Sequence, residues 1–119
     1  MKDIVSNDEN GIDTYMKRST LFSFGKELIE KGEIEKGIQY IKSSINKRYI
    51  IAVNYYCRLL LKGNIITKNT TEAKYILKKF LNEKDSDVYF LYGKILKKEH
   101  KYNEAIKYFR KSSKLGSLE

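Results

Sequence analysis

Three stretches of this chain repeat one order of apolar and small residues. With Gly25, Cys57 and Gly93 as reference positions, offsets −4, −1, 0 and +3 read Leu21-Phe24-Gly25-Leu28, Val53-Tyr56-Cys57-Leu60 and Tyr89-Tyr92-Gly93-Leu96. Those offsets share one face of a helix. Five residues before each reference stands Thr20, Ala52 or Val88. A second small residue follows each time, Gly37, Ala73 and Ala105, and four residues beyond it come Ile41, Leu77 and Phe109. From Gly37 to Cys57, and again from Ala73 to Gly93, the chain advances by the same twenty positions. Such a period is the mark of repeated helix pairs. One pair cannot bury its apolar face alone, so neighbours must stack. The small residues let the two helices of each pair approach closely, each meeting the other.

The pattern predicts helices near 14–31, 34–47, 49–62, 71–83, 86–99 and 103–115. The fold class is all-α: an α-solenoid of three antiparallel helix pairs in a tetratricopeptide-like right-handed stack. Residues 14–119 form the helical-repeat domain, with units near 20–51, 52–87 and 88–119. Residues 1–13 are polar, acidic and without period, which predicts a disordered arm. Gly32, Gly63 and Gly116 fall just past helix ends, where glycine serves as a left-handed cap. Asn69 or Thr70 suits the cap of the fourth helix, and Asn103 or a residue just before it the sixth.

From about residue 20 onward the sequence resembles the Sel-one-like repeats, close kin of the tetratricopeptide repeat. The middle unit carries the family spacing in Cys57, Leu60, Gly63, Ile65-Ile66, Asn69 and Ala73. It departs from the family at Ile65, where the loop's second glycine belongs. The outer units lack four loop residues and use the shorter tetratricopeptide turn. The twenty-residue return fits the Sel-one-like class better than the tetratricopeptide one. Ala105-Ile106-Lys107-Tyr108-Phe109 and Lys114-Leu115-Gly116 resemble the family's second helix and closing glycine. The resemblance implies a scaffold whose first helices line a concave groove for a partner protein or peptide.

Bulk properties narrow this only a little. In 119 residues there is no proline, and no apolar window long enough to span a membrane. The first residues lack the basic–apolar order of a signal peptide, and the single Cys57 has no intramolecular disulfide partner, so a cytoplasmic setting is expected. The net charge of +9 is unevenly spread. Residues 1–13 set Asp3, Asp8, Glu9 and Asp13 against Lys2, whereas the rest holds 23 basic and 11 acidic residues. A basic body suits nucleic acid, acidic peptides or anionic surfaces. The chain is also rich in Ile, Lys, Asn and Tyr together, the set AT-rich codons supply, which accounts for lysine without function.

Catalytic chemistry finds little support. His100 is the lone histidine and falls in a turn, with no cysteine neighbour to complete a zinc site. Cys57 takes the small-residue place of its helix and is expected to be buried and unreactive. Gly63-Asn64-Ile65-Ile66 is no phosphate cradle, because no Walker or dinucleotide-binding pattern surrounds it. Asn69-Thr70-Thr71 is a glycosylation sequon, read here as a helix cap. Tyr56, Tyr89 and Tyr92 fall on the core face, which assigns much of the tyrosine content to packing. No metal or organic cofactor is implied.

One pattern stands out. Offset +1 from the reference residue is Lys26, Arg58 and Lys94, and offset +5 is Glu30, Lys62 and Lys98. Both offsets point away from the helix-pair core, so a stack aligns them. Lys26, Arg58, Lys62, Lys94 and Lys98 therefore make a candidate partner-binding stripe for an acidic or phosphorylated peptide or a C-terminal carboxylate. The plain alternative is a solvated lysine face. The expected function is a non-catalytic protein-interaction scaffold, with a basic nucleic-acid or anionic-surface binder as the second reading. The chain stops where a fourth unit would begin, so the last pair is expected to show an uncapped flank. Ser112 and Ser113 would soften it, while Ile106, Phe109 and Leu115 would leave it apolar and open to self-association.

Overall fold

A computed structural model describes residues 15–116. The expected N-terminal arm lies outside them. The described chain is all-helical: α1 (Arg18–Glu30), α2 (Ile34–Asn46), α3 (Ile50–Lys62), α4 (Thr70–Lys79), a 3₁₀ turn (Leu81–Glu83), α5 (Ser86–Lys98) and α6 (Tyr102–Leu115). These six helices match the periodicity closely. The first starts at Arg18 rather than near residue 14, and the fourth is shorter than expected, because Phe80 closes α4 and the chain tightens into the 3₁₀ turn. The chain packs as two compact units, the first ending at Ala52 and the second starting at Val53.

In the first unit α1 and α2 lie antiparallel and touch backbone to backbone. A Cβ placed on Gly25 would sit 2.8 Å from the Gly37 carbonyl oxygen, and one on Gly37 would sit 2.7 Å from that of Gly25. Two glycines at the crossing permit this approach, and Leu21, Ile29 and Ile41 close around it. Phe24 departs from expectation. It is 47% exposed, with its ring beside Tyr40 rather than under the second helix. The open end of the pair is clasped by polar groups. Ser44 Oγ donates to the Arg18 carbonyl oxygen, the Arg18 guanidinium donates to the carbonyl oxygens of Lys47 and Arg48, and Lys47 Nζ donates to that of Met16.

The second unit repeats the crossing twice. Cys57 Sγ lies 3.8 Å from the Ala73 carbonyl oxygen, and a Cβ on Gly93 would lie 3.3 Å from that of Ala105. In every pair the first small residue thus faces the carbonyl of the second. Val53, Cys57, Leu77, Val88, Ile95 and Leu96 are at most 1% exposed and form the core here. Tyr56, Tyr89 and Tyr92 are buried as their offsets require. Asn54, itself buried, donates from Nδ2 to Asp85 Oδ2, which also accepts the Val88 backbone N–H and so caps α5. This joins α3 to the start of α5 through one carboxylate oxygen.

Helix ends follow one turn geometry with different residues. Gly32, Arg48 and His100 each take a positive φ, and the residue after each donates its N–H back five positions, to Leu28, Ser44 and Leu96. His100 lies seven residues after Gly93, as Gly32 does after Gly25. Gly63 is left-handed as expected, at φ +72. Gly116 is not: it is right-handed at φ −100, because its N–H continues α6 to the Ser112 carbonyl. Asn69 caps α4 by accepting the Glu72 N–H, whereas α6 begins at Lys101 with no side-chain cap and Asn103 lies inside the helix. Ser112 is buried against Ser86 rather than softening a solvent flank, while Ser113 is exposed. On the same helix Ile106 and Leu115 are 46% and 54% exposed, and Phe109 is half-buried.

Candidate anion-binding site

The five residues of the basic stripe are all exposed, as offsets turned away from the pair core require. They do not act alike. Lys26 lies on α1 in the first unit. Arg58 is 3.5 Å from Asp87, so a carboxylate already shares its charge. Lys62, Lys94 and Lys98 converge. They line one cavity of about 110 Å³ with Lys68, over a floor of Leu61, Ile95 and Thr70.

The geometry grows from local sequence. Lys94 and Lys98 are one turn apart on α5 and project on the same side. Lys62 ends α3, and Gly63 then takes a left-handed conformation that turns the chain. A Cβ on Gly63 would meet Lys68 Cβ at 2.8 Å, so only glycine lets the loop fold back this tightly. The Asn69 N–H donates to the Leu60 carbonyl oxygen, which pins the return. Lys68 is therefore placed by the connection from α3 to α4, which is longer than those within the α1–α2 and α5–α6 pairs. Ile95 is 1% exposed and gives the cavity an apolar base, while the lysines around it are exposed to solvent. None of Lys62, Lys68, Lys94 and Lys98 forms an ion pair with another described residue.

A second opening of about 440 Å³ adjoins it on α5 and α6, lined by Phe90, Lys94, Lys97, Lys98, Tyr102 and Phe109. Phe90 is 45% and Tyr102 53% exposed, and Lys94 Nζ lies 5.5 Å from the Phe90 ring centre. Lys94 and Lys98 belong to both openings. The arrangement suits an anionic group held next to an apolar one.

Other ionisable groups are committed elsewhere. Burial, helped by the nearby Glu72 charge, pushes the Cys57 thiol up to about 12, so the thiolate is absent at neutral pH. Burial also raises the Tyr56 phenol, which donates to Glu72 Oε2 at 3.1 Å. His100 shares a 2.8 Å hydrogen bond between Nδ1 and the Tyr102 hydroxyl, at an exposed turn. Among the described residues no cluster of His, Cys, Asp or Glu could hold a metal ion, and no helix is long and apolar enough to cross a membrane.

Of the residues lining these two openings, Lys62, Lys94 and Lys98 belong to the helical stripe, whereas Lys68, Lys97, Phe90 and Tyr102 fall outside it. Lys68 sits in loop residues that have no counterpart in the other units, so no repeat alignment could place it. The exposed aromatics were legible only as part of an abundant tyrosine and phenylalanine content. Comparison of the chain with family models, with curated proteins and with solved structures returned no match.

Proposed function

We propose that this chain is a non-catalytic protein-interaction module, a Sel-one-like right-handed helical repeat that binds an acidic segment of a partner protein. The observation that carries the reading is the convergence of Lys62, Lys68, Lys94 and Lys98 on one cavity with no carboxylate in its lining. Unpaired like charges repel at close range, so their grouping is explained by an anion that joins them. Flexible ammonium groups supply point charges suited to carboxylates and phosphates. A helical scaffold holds the backbone of Lys62, Lys94 and Lys98 in place, so that binding has only their side chains to order.

Reversing charge tests the reading. The triple variant Lys62→Glu, Lys94→Glu and Lys98→Glu should retain its helicity by circular dichroism and lose binding to acidic peptides in a fluorescence-polarisation panel. Equal binding by the variant would return these lysines to a solvated face.

A second reading, single-stranded nucleic acid, is favoured by one feature: Phe90, Tyr102 and Phe109 lie among Lys94, Lys97 and Lys98. Aromatic rings beside lysines suit base stacking next to phosphates. A steep fall of oligonucleotide affinity with salt, in the absence of peptide binding, would select it.

A further inference from the structure

The cavity and the groove share a wall, and that wall limits what they accept together. We propose that they form one bipartite site for a phosphorylated peptide. The phosphoryl group enters the lysine cavity, and a neighbouring apolar side chain of the peptide lies on the groove of Phe90, Tyr102 and Phe109. The proposal rests on the acidic-peptide reading and names its ligand class.

Charge and shape both favour a phosphoryl group over a carboxylate. Four lysines line about 110 Å³, and no acidic side chain is in that lining. A phosphomonoester brings close to two negative charges and three acceptor oxygens, against one charge and two oxygens for a carboxylate. Thr70, the first residue of α4, adds a hydroxyl at the cavity floor. The start of α4 also carries the positive end of its helix dipole, which acts in the same sense as the lysines.

The second half of the site follows from Lys94 and Lys98. Both residues line the cavity and the groove, and Lys94 Nζ lies 5.5 Å from the ring centre of Phe90 in the groove. A ligand held by them presents whatever flanks its phosphate to the groove. The groove offers ring faces and lysine stems. Its one neutral polar group, the Tyr102 hydroxyl, is already engaged by His100. The lysines there can donate to a nucleobase, but no carboxylate or amide side chain lines the groove to accept from a base's own N–H groups, whereas an apolar side chain makes no such demand. This favours a peptide over a nucleotide. Adjacent residues of an extended peptide advance by roughly 3.3 Å, so the apolar residue should stand about one to three positions from the phosphorylated one.

Fluorescein-labelled peptides provide the test. Each carries a central phosphoserine and one Phe at one of the three following positions in a Gly-Ser-Ala background. Matched peptides replace phosphoserine by Glu, or Phe by Ala. The best phosphoserine–Phe peptide should bind about tenfold tighter than either matched control, the size expected for one charge-assisted contact or one buried side chain. Lys68→Ala, which alters only the cavity, should erase the advantage of phosphoserine over Glu and keep that of Phe over Ala. Tyr102→Ala, which alters only the groove, should do the reverse. Both residues are exposed, so both variants should fold, and circular dichroism checks this.

Equal affinity for the phosphoserine and Glu peptides would overturn the phosphoryl proposal while leaving the acidic-peptide reading intact. Failure of every acidic and phosphorylated peptide to bind the folded protein would overturn both. Loss of both advantages in either single variant would overturn the division into two subsites. Tighter binding of fluorescein-labelled oligouridylate than of any peptide would overturn the proposal in favour of nucleic acid.

Discussion

Ser112 Oγ donates a 2.9 Å hydrogen bond to the carbonyl oxygen of Ser86, fastening the last turn of α6 to the first residue of α5. The first pair has the same clasp, with Ser44 Oγ donating to the Arg18 carbonyl oxygen at 2.8 Å. Each serine lies seven residues after the second small residue of its unit, and each acceptor seven residues before the first. Seven residues after Ala73 stands Phe80 instead, which is buried. The α1–α2 and α5–α6 pairs thus carry a serine clasp, and the corresponding position at the end of α4 carries a buried ring. Replacing Ser112 by Ala should cost about 1 kcal/mol, because the hydroxyl is lost and no new partner reaches the Ser86 carbonyl. Urea denaturation should show a lower midpoint with an unchanged slope, and an unaltered midpoint would remove the clasp from the list of stabilising contacts.

Glycine crossings differ in what stands against them. A Cβ on Gly37 would meet the Gly25 carbonyl oxygen at 2.7 Å and Ile29 Cγ1 at 2.6 Å, so backbone must move. At Gly93 the nearest atoms belong to the Phe109 ring at 2.8 Å, which is half-buried and able to turn aside. Alanine also gains about 1 kcal/mol of helix propensity over glycine at either site. Gly37→Ala should therefore destabilise by about 1–3 kcal/mol net, and Gly93→Ala by clearly less. Thermal melts of the two variants, taken side by side, decide the order. Ala105→Leu, at the opposite wall of the Gly93 crossing, should overpack like Gly37→Ala.

Left-handed turns without glycine store removable strain. Lys84 closes the 3₁₀ turn at φ +55 and is exposed. Lys84→Gly should stabilise by about 0.5 kcal/mol, since the Cβ penalty of the left-handed region exceeds glycine's loss of chain entropy there. A lower melting temperature in the glycine variant would mean that the Lys84 side chain contributes more than its backbone costs.

Cys57 is fully buried, with its thiol pushed up to about 12. Labelling by a thiol reagent at neutral pH should be slow and should accelerate with denaturant in step with unfolding. Rapid labelling of the folded protein would place Cys57 at an accessible surface and contradict the α3–α4 crossing.

Lys74 Nζ lies 2.7 Å from Glu99 Oε1, with Lys101 at 3.6 Å from the same oxygen. The hydrogen bond from Lys74 holds the Glu99 carboxyl below its usual range and, reciprocally, raises Lys74. A carboxyl lowered on folding contributes stability that is present above its unfolded value and is lost as pH falls through its folded one. A raised lysine contributes stability present below its unfolded value and lost as pH rises through its folded one. Both groups are partly solvated, so the pair should be worth about 0.5 kcal/mol near neutrality. Glu99→Gln should lower stability at pH 7 and leave it unchanged well below pH 4, where the carboxyl is already protonated. An equal loss at both pH values would assign the effect to packing.

Local order was readable from the chain because a helix imposes its period on every residue that packs. The spacing of Gly25, Cys57 and Gly93 against Gly37, Ala73 and Ala105 determined six helices, their pairing and the small residues at each crossing. Two classes of feature were decided by tertiary structure. Turn conformation depends on the hydrogen bonds available to the flanking backbone, so His100 and Arg48 take the left-handed region while Gly116 does not. Even at positions that share the period, side-chain burial responds to neighbours brought close in three dimensions. Ser112 turned inward because the Ser86 carbonyl waits there, and Phe24 stayed exposed beside Tyr40. The candidate site divides in the same way. Helical spacing placed Lys62, Lys94 and Lys98 on outward faces, but electrostatic partnership is a property of space. Only folding set Asp87 beside Arg58 and swung Lys68 around Gly63 to complete the cavity.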